Sequence, residues 1–177
     1  MTVGCFRMGE TIYSTHYIGF RITNSSVISQ KAKYALRALV ALAKEGDSLM
    51  IGEIAARKNI PRKFLEAILR ELRQHGLLLA QRGRGGGYRL RKPPEEIALA
   101  EVIRALDGPL APVPCLSKTQ YERCAECKSE RACGVRLVLK DLHEATANIL
   151  ENTTLADLVR RTHEAADDAS TTLRYAI

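Results

Sequence analysis

Along residues 27 to 92 the apolar positions shift from helical to alternating spacing, and each shift marks an element. In VISQKAKYALRALVALAKEG, from Val27, the residues Tyr34, Leu36, Leu39, Val40, Leu42 and Ala43 fall largely on one helical stripe, and Gly46 supplies the stop. A second helix is expected from about Met50 to Lys58, burying Ile51, Ile54 and Ala55, with Asn59-Ile60-Pro61 as the turn. Pro61 suits the start of a third helix, where no intrahelical amide bond is lost. There Phe64, Leu65, Ile68, Leu69 and Leu72 make one apolar stripe, and Gly76 ends it. The opposite face carries Arg62, Lys63, Glu66, Arg70 and Arg73. Leu77 to Gln81 then reads as a strand, Gly83-Arg84-Gly85-Gly86-Gly87 as a turn and Tyr88-Arg89-Leu90 as the returning strand. The glycines permit positive φ and close backbone approach. They do not make a nucleotide-phosphate loop, because the spacing is wrong and a strand follows where a helix should.

Beyond Pro93-Pro94, the positions Leu99, Val102, Ile103 and Leu106 predict a short amphipathic helix stopped by Gly108-Pro109. From Gly134 to Glu151, the residues Val135, Val138, Leu139, Leu142, Ala145, Ile149 and Leu150 recur at helical spacing. That helix would be roughly 27 Å long at about 1.5 Å per residue. Too little sequence follows it to cover its apolar face. A partner subunit is the expected cover, with packing on the protein's own first helix as the alternative. Thr154 to Val159 starts a short last helix, and the tail from residue 164 is expected to fray.

These elements predict a mainly α fold with one small β-hairpin: a winged helix-turn-helix followed by a long dimerisation helix. The expected divisions are a disordered extension over 1–27, a DNA-binding domain over 28–108 and a cysteine-rich sensor loop over 109–133. A dimerisation helix with a short last helix follows over 134–163, then a tail over 164–177. Val27 is a candidate native start, from a GTG codon. No segment reaches the roughly 20 apolar residues that span a bilayer, and residues 1–28 lack the apolar core of a secretory signal. A cytoplasmic protein without a membrane partner is expected.

Charge sharpens this picture. Residues 29–92 hold 15 Lys and Arg against 5 Asp and Glu, whereas residues 93–177 hold 10 against 14. The net charge of +7 therefore belongs to the half with the helix–turn–helix pattern. Such asymmetry is an electrostatic footprint for a polyanion. Lys63 and Glu66 lie near the N-terminal end of the recognition helix, which meets base edges in this docking mode. A cation there reaches guanine, and a carboxylate accepts from cytosine. Arg82 and Arg84 flank the hairpin tip, placed for a minor groove or for phosphates. Arg62, Arg70, Lys31 and Arg57 are candidate phosphate contacts. A winged helix used only to bind protein would present an uncharged recognition face, unlike this one. An enzyme is not expected, since no paired carboxylates, Ser–His–acid set or cofactor loop is present.

Cys115, Cys124, Cys127 and Cys133 fall within 19 residues and include one CxxC. Such a set suffices for zinc or for an iron–sulfur cluster, since thiolates favour both. Oxidation of Cys124 with Cys127, or of Cys127 with Cys133, to a disulfide is a second option. No cofactor at all is the third. Cys5 receives no role, and His75, His143 and His163 are scattered on helices.

The runs ISQKAKYALRALVALA, IGEIAARKNIPRKFLEAILRELRQHGLL and RGRGGGYRLRK resemble the Rrf-two family of bacterial winged-helix regulators. The likeness continues through IALAEVIRALDGPLAPVPC, the cysteine loop, the long helix and TTLADLV, so it spans about Val27 to Arg161. GGGY after a basic residue is its most specific element. The family includes regulators of iron–sulfur assembly, nitric-oxide response and cysteine metabolism. The resemblance implies a homodimeric regulator, in the main a repressor, on a palindromic DNA operator, with Lys63, Glu66 and Arg82 at base- and groove-contacting places. It also implies a sensor loop. Cluster-binding relatives space three cysteines with five residues between neighbours, and Cys127 and Cys133 keep that separation. Only two residues separate Cys124 from Cys127. The histidine ligand of one relative falls on Arg136, and the acidic ligand of another falls on Lys33, which cannot serve while protonated.

Overall fold

A computed structural model describes residues 28–81, 83 and 86–174. The expected extension over 1–27, with Cys5, and the wing-tip residues Arg82 and Arg84 lie outside the described residues.

Helix α1 runs Gln30–Glu45. Ser29 caps it, its hydroxyl accepting from the Ala32 amide at 3.1 Å. The same residue bonds Asp107 through both its amide (2.9 Å) and its hydroxyl (2.5 Å), tying the start of α1 to the end of α4. Gly46 closes α1 in the left-handed region. The buried face of α1 includes Ala32, Ala35, Ala38 and Ala41 beside Leu39, Val40 and Leu42. These small side chains let neighbouring helices approach closely, so α1 is the hub against which α2, α3, α4 and α6 pack.

Helix α2 (Ile51–Lys58) begins where Glu53 reaches back to the Met50 amide at 2.8 Å. Of its predicted apolar residues, Ile54 is buried, while Ile51 and Ala55 are half-buried. Asn59, at φ 49°, ends it. Helix α3 (Arg62–Gln74) starts directly after Pro61. Leu65, Ile68, Leu69 and Leu72 are fully buried. Phe64, expected in that stripe, is instead 42% exposed and meets Tyr34 edge to face, with ring centroids 5.7 Å apart. At the margin of the stripe it covers the flank of α1 rather than the core.

Strands β1 (Leu78–Gln81) and β2 (Gly87–Leu90) pair antiparallel, with Leu78 opposite Leu90 and Gln81 opposite Gly87. Gly87 thus belongs to the strand, not to the turn. A third segment joins the hairpin: Leu49 and Tyr88 exchange backbone bonds of 3.0 and 2.9 Å. Alternation could not reveal a bridge of one residue.

After a short 3₁₀ turn (Pro94–Glu96), α4 spans Leu99–Asp107 and buries Leu99, Val102, Ile103 and Leu106, as the periodicity predicts. The loop that follows holds a second 3₁₀ turn at Pro114–Leu116. Helix α5 covers Gly134–Glu151, and only Leu150 in it is buried. It rests against α4 and the Pro114–Leu116 turn. Helix α6 runs Leu155–Arg174, so the expected tail continues the helix. No Pro or Gly interrupts that segment, and Arg160 pairs with Asp157 (2.9 Å) and Glu164 (3.7 Å) along it. It is α6, not α5, that packs on α1. The junction of α5 and α6 is sewn to the entry of α4 by Leu99 N–H to Thr153 O (2.9 Å) and Leu155 N–H to Ile97 O (2.8 Å). Among the described residues no helix is long and apolar enough to cross a membrane.

Candidate nucleic-acid interface

Burying one stripe of α3 turns the other outward. Arg62, Lys63, Glu66, Arg70 and Arg73 are all exposed. Arg62 pairs with Glu66 at 3.2 Å across one helical turn. That pair holds the Glu66 carboxylate on the exposed face, near the N-terminal end of α3. Lys63 and Arg70 have no ion pair among the described residues. The hairpin follows α3 directly, because Leu77 sits in the core and its carbonyl accepts from the Arg91 amide at 3.1 Å. The wing is thereby fixed beside the recognition helix. A turn at its tip is closed by Gly86 N–H to Gly83 O at 2.9 Å.

Two other candidate cations are already engaged. Lys31 pairs with Glu71 at 2.7 Å and donates to the Leu106 carbonyl at 3.2 Å, which pins α1 to α3 and α4. Arg57 bonds Glu45 at 2.6 Å, and that bond raises its already high pKa. A cluster that periodicity did not reveal lies between α1 and the end of α2. Arg37 donates to the Lys58 carbonyl and sits 5.8 Å from the centre of the Tyr34 ring. Burial, then the charges of Lys44, Arg37 and Arg57, push the Lys58 ammonium below its ordinary value. Crowded like charges of this kind favour a polyanion as counter-charge. Their signal in the sequence is faint, since Arg37 and Lys44 are remote from Arg57 and Lys58 until α1 and α2 pack.

All four loop cysteines are free thiols. Cys133 is the residue that precedes the first turn of α5. The Cys127 thiol is pushed above its ordinary value by burial, and next by the charge and hydrogen bond of Cys133 and the charge of Cys124. Cys133 and Cys124 are thus the side chains that act on the Cys127 thiol. Cys115 lies in the Pro114–Leu116 turn. Among the described residues no group of three or more His, Cys, Asp or Glu side chains is gathered to hold a metal ion. The expected four-cysteine ligand set is therefore not gathered among the described residues, while the Glu122 amide donates back to the Pro114 carbonyl beside Cys115 at 3.4 Å. The Tyr121 hydroxyl donates to Glu130, and Arg123 donates to the carbonyl of Cys127 at 3.1 Å, so the loop has its own bracing.

Residues 28–161 match the Rrf2 family, iron-dependent transcriptional regulators. The chain belongs to the Rrf2 family. An Rrf2-like helix–turn–helix regulator of Rhodobacter capsulatus is 41% identical over 145 residues, covering 79% of this chain and 97% of the relative. The helix–turn–helix regulator IscR of Serratia proteamaculans is 34% identical over 134 residues, 75% of this chain and 78% of IscR. Among solved structures, CymR, the global cysteine regulator of B. subtilis, is similar with a TM-score of 0.64 at 30% identity, over 76% of this chain and 96% of CymR. These Rrf2 relatives are transcriptional regulators and not enzymes. The mainly helical fold with its two-stranded wing is the Rrf2 winged helix, and the exposed basic face of α3 belongs to a DNA-binding regulator of that family.

Proposed function

We propose that this Rrf2 protein is a homodimeric repressor that binds a palindromic operator and whose affinity is set by the cysteine loop. The exposed, cationic face of α3 beside the wing carries this reading. In it Lys63 and Glu66 read bases near the N-terminus of α3, and Glu66 releases Arg62 to accept from a cytosine. Arg62 and Arg70 contact phosphates, Arg82 and Arg84 enter the minor groove from the wing, and Arg57 joins the Arg37–Lys44–Lys58 cluster along the backbone. Lys31 is left out, because releasing it would break its bonds to Glu71 and Leu106.

Dimerisation is supported by α5, whose Val135, Val138, Leu142 and Ile149 are 50–69% exposed on one side. Two such helices, packed together, would set the spacing of the two recognition helices on a duplex. The thiol pair at the start of α5 supplies the switch. An oxidant such as hydrogen peroxide takes two electrons and two protons from Cys127 and Cys133, leaving a disulfide and water. The bond pulls on the first turn of α5 and shifts the dimer between two arrangements.

The test is a titration of the purified protein against genomic DNA fragments under reducing, oxidising and chelating conditions. Salt-sensitive, sequence-selective binding that changes on oxidation is expected, and absence of such binding in every state would sink the proposal. Purification without oxygen distinguishes the sensor chemistries. A colourless sample without metal supports the thiol pair. A brown one, or one with stoichiometric zinc, would replace it with an iron–sulfur or zinc site on Cys124, Cys127 and Cys133 with or without Cys115.

A further inference from the structure

The half of the chain after Lys92 is net acidic, yet one of its cavities is lined with cations. This cavity, of about 890 Å³, lies between α5 and the loop that leads from α4. Arg104, Lys118, Arg131, Arg136, Lys140 and His143 line it, with Glu144 and Glu151 as its acids. Both acids are engaged: Glu151 accepts from Arg104, and Glu144 pairs with Lys140 at 3.5 Å. Lys118, Arg131, Arg136 and His143 have no ion pair among the described residues. Moreover, Arg136 Nε and His143 Nδ1 are shut off from solvent without a hydrogen-bond partner. Buried polar atoms in native proteins ordinarily have one.

The cavity is separate from the surface assigned to dimerisation. Arg136, Lys140, His143 and Ala147 follow at steps of four, three and four, which places them on one stripe of α5. At about 100° per residue that stripe is nearly opposite to Val135, Val138, Leu142 and Ile149. The cavity's volume lies in the range of roughly 300–1,000 Å³ usual for small-molecule sites. Leu116, Leu137 and Ala147 add apolar wall.

We infer that this cavity binds a small organic anion with two or more carboxylate or phosphate charges. Its oxygens accept from Arg136 and His143, Lys118 and Arg131 close over it, and its carbon frame lies on the apolar wall. Cys115 shares the wall, so an occupant also braces the cysteine loop against α5. The inference concerns binding alone and holds whether or not the operator and thiol proposals do.

The test uses the full chain without DNA, with citrate and glucose 6-phosphate as probes and glucose as the neutral control. Calorimetry and thermal melting should show saturable binding of at least one anion and none of glucose. Because the winged helix is itself basic, two double variants are compared. Arg136→Gln with His143→Gln should weaken binding by at least about tenfold, the loss of charge-assisted hydrogen bonds. Arg70→Gln with Arg73→Gln should leave it within about twofold. Should the first variant lose helical circular dichroism, Lys118→Gln with Arg131→Gln is expected to show the same weakening. No binding of either anion, equal binding of glucose, or weakening confined to the α3 variant would each overturn the inference.

Discussion

Gly87 shows what a single missing methyl decides. A Cβ there would lie 2.3 Å from the Leu49 carbonyl oxygen, an atom of backbone that cannot swing aside. The glycine is thus needed for the Leu49–Tyr88 bridge that locks the wing to the entry of α2. Gly87→Ala should cost about 1–3 kcal/mol of stability, the usual scale for overpacking. Chemical denaturation checks this, and unchanged stability would mean that the wing is not held there. Asp157 offers a pH-dependent counterpart. It accepts from the Thr154 amide at 3.0 Å and hydroxyl at 2.8 Å, while its own amide donates to Thr154 Oγ1 at 3.1 Å. These bonds, the amide first, hold its carboxyl below its ordinary 3.8. A depressed pKa means stability that is fully present above pH 3.8 and is lost as pH falls through the lower folded value. Asp157→Asn should therefore lower Tm by a few degrees at pH 7, with the gap to wild type closing below pH 3.8. A constant gap across that window would assign the effect to packing. At this scale much of the sequence reading survives. Ser29, Gly46 and the buried Leu65, Ile68, Leu69 and Leu72 do what their types and spacing predict. Lys31 does not, because its partner Glu71 lies 40 residues away and only packing brings them together.

Among elements, α3 divides labour between its faces, and the division can be measured. If Lys63 reads a base, Lys63→Ala should cost about 1–3 kcal/mol on the best operator fragment and relax preference at one position. If Arg70 meets a phosphate, Arg70→Ala should weaken all sequences alike and reduce the salt slope by about one. Fluorescence anisotropy over a salt series separates the two, and the reverse pattern would exchange the roles. The boundaries of α1 to α5 were legible because hydrophobic periodicity, capping residues and glycine stops agree there. The length of α6 was not, since EAADDASTTLR has no apolar stripe to announce a helix. Its i,i+4 pairing and lack of breakers extend it nonetheless.

For the whole molecule, the prominent fact is that α5 leaves its apolar stripe bare while α6 takes the place on α1. If two α5 helices pair as proposed, replacing Val138 and Leu142 by Asp should produce a monomer in sedimentation with unchanged helical content, because both side chains are exposed. Operator affinity should fall by at least about tenfold, since one half-site then binds without the other. A variant that stays dimeric would place the interface elsewhere. Sequence by itself determined the winged helix, the concentration of positive charge in residues 29–92 and the apolar stripe of α5. Those follow from local spacing and composition, which need no knowledge of distant neighbours. Tertiary structure alone decided that Lys31 is an internal pin and that Arg136 and His143 share a cationic cavity. Each of these depends on which segments pack together, and packing is set by the summed burial of the chain rather than by any local pattern.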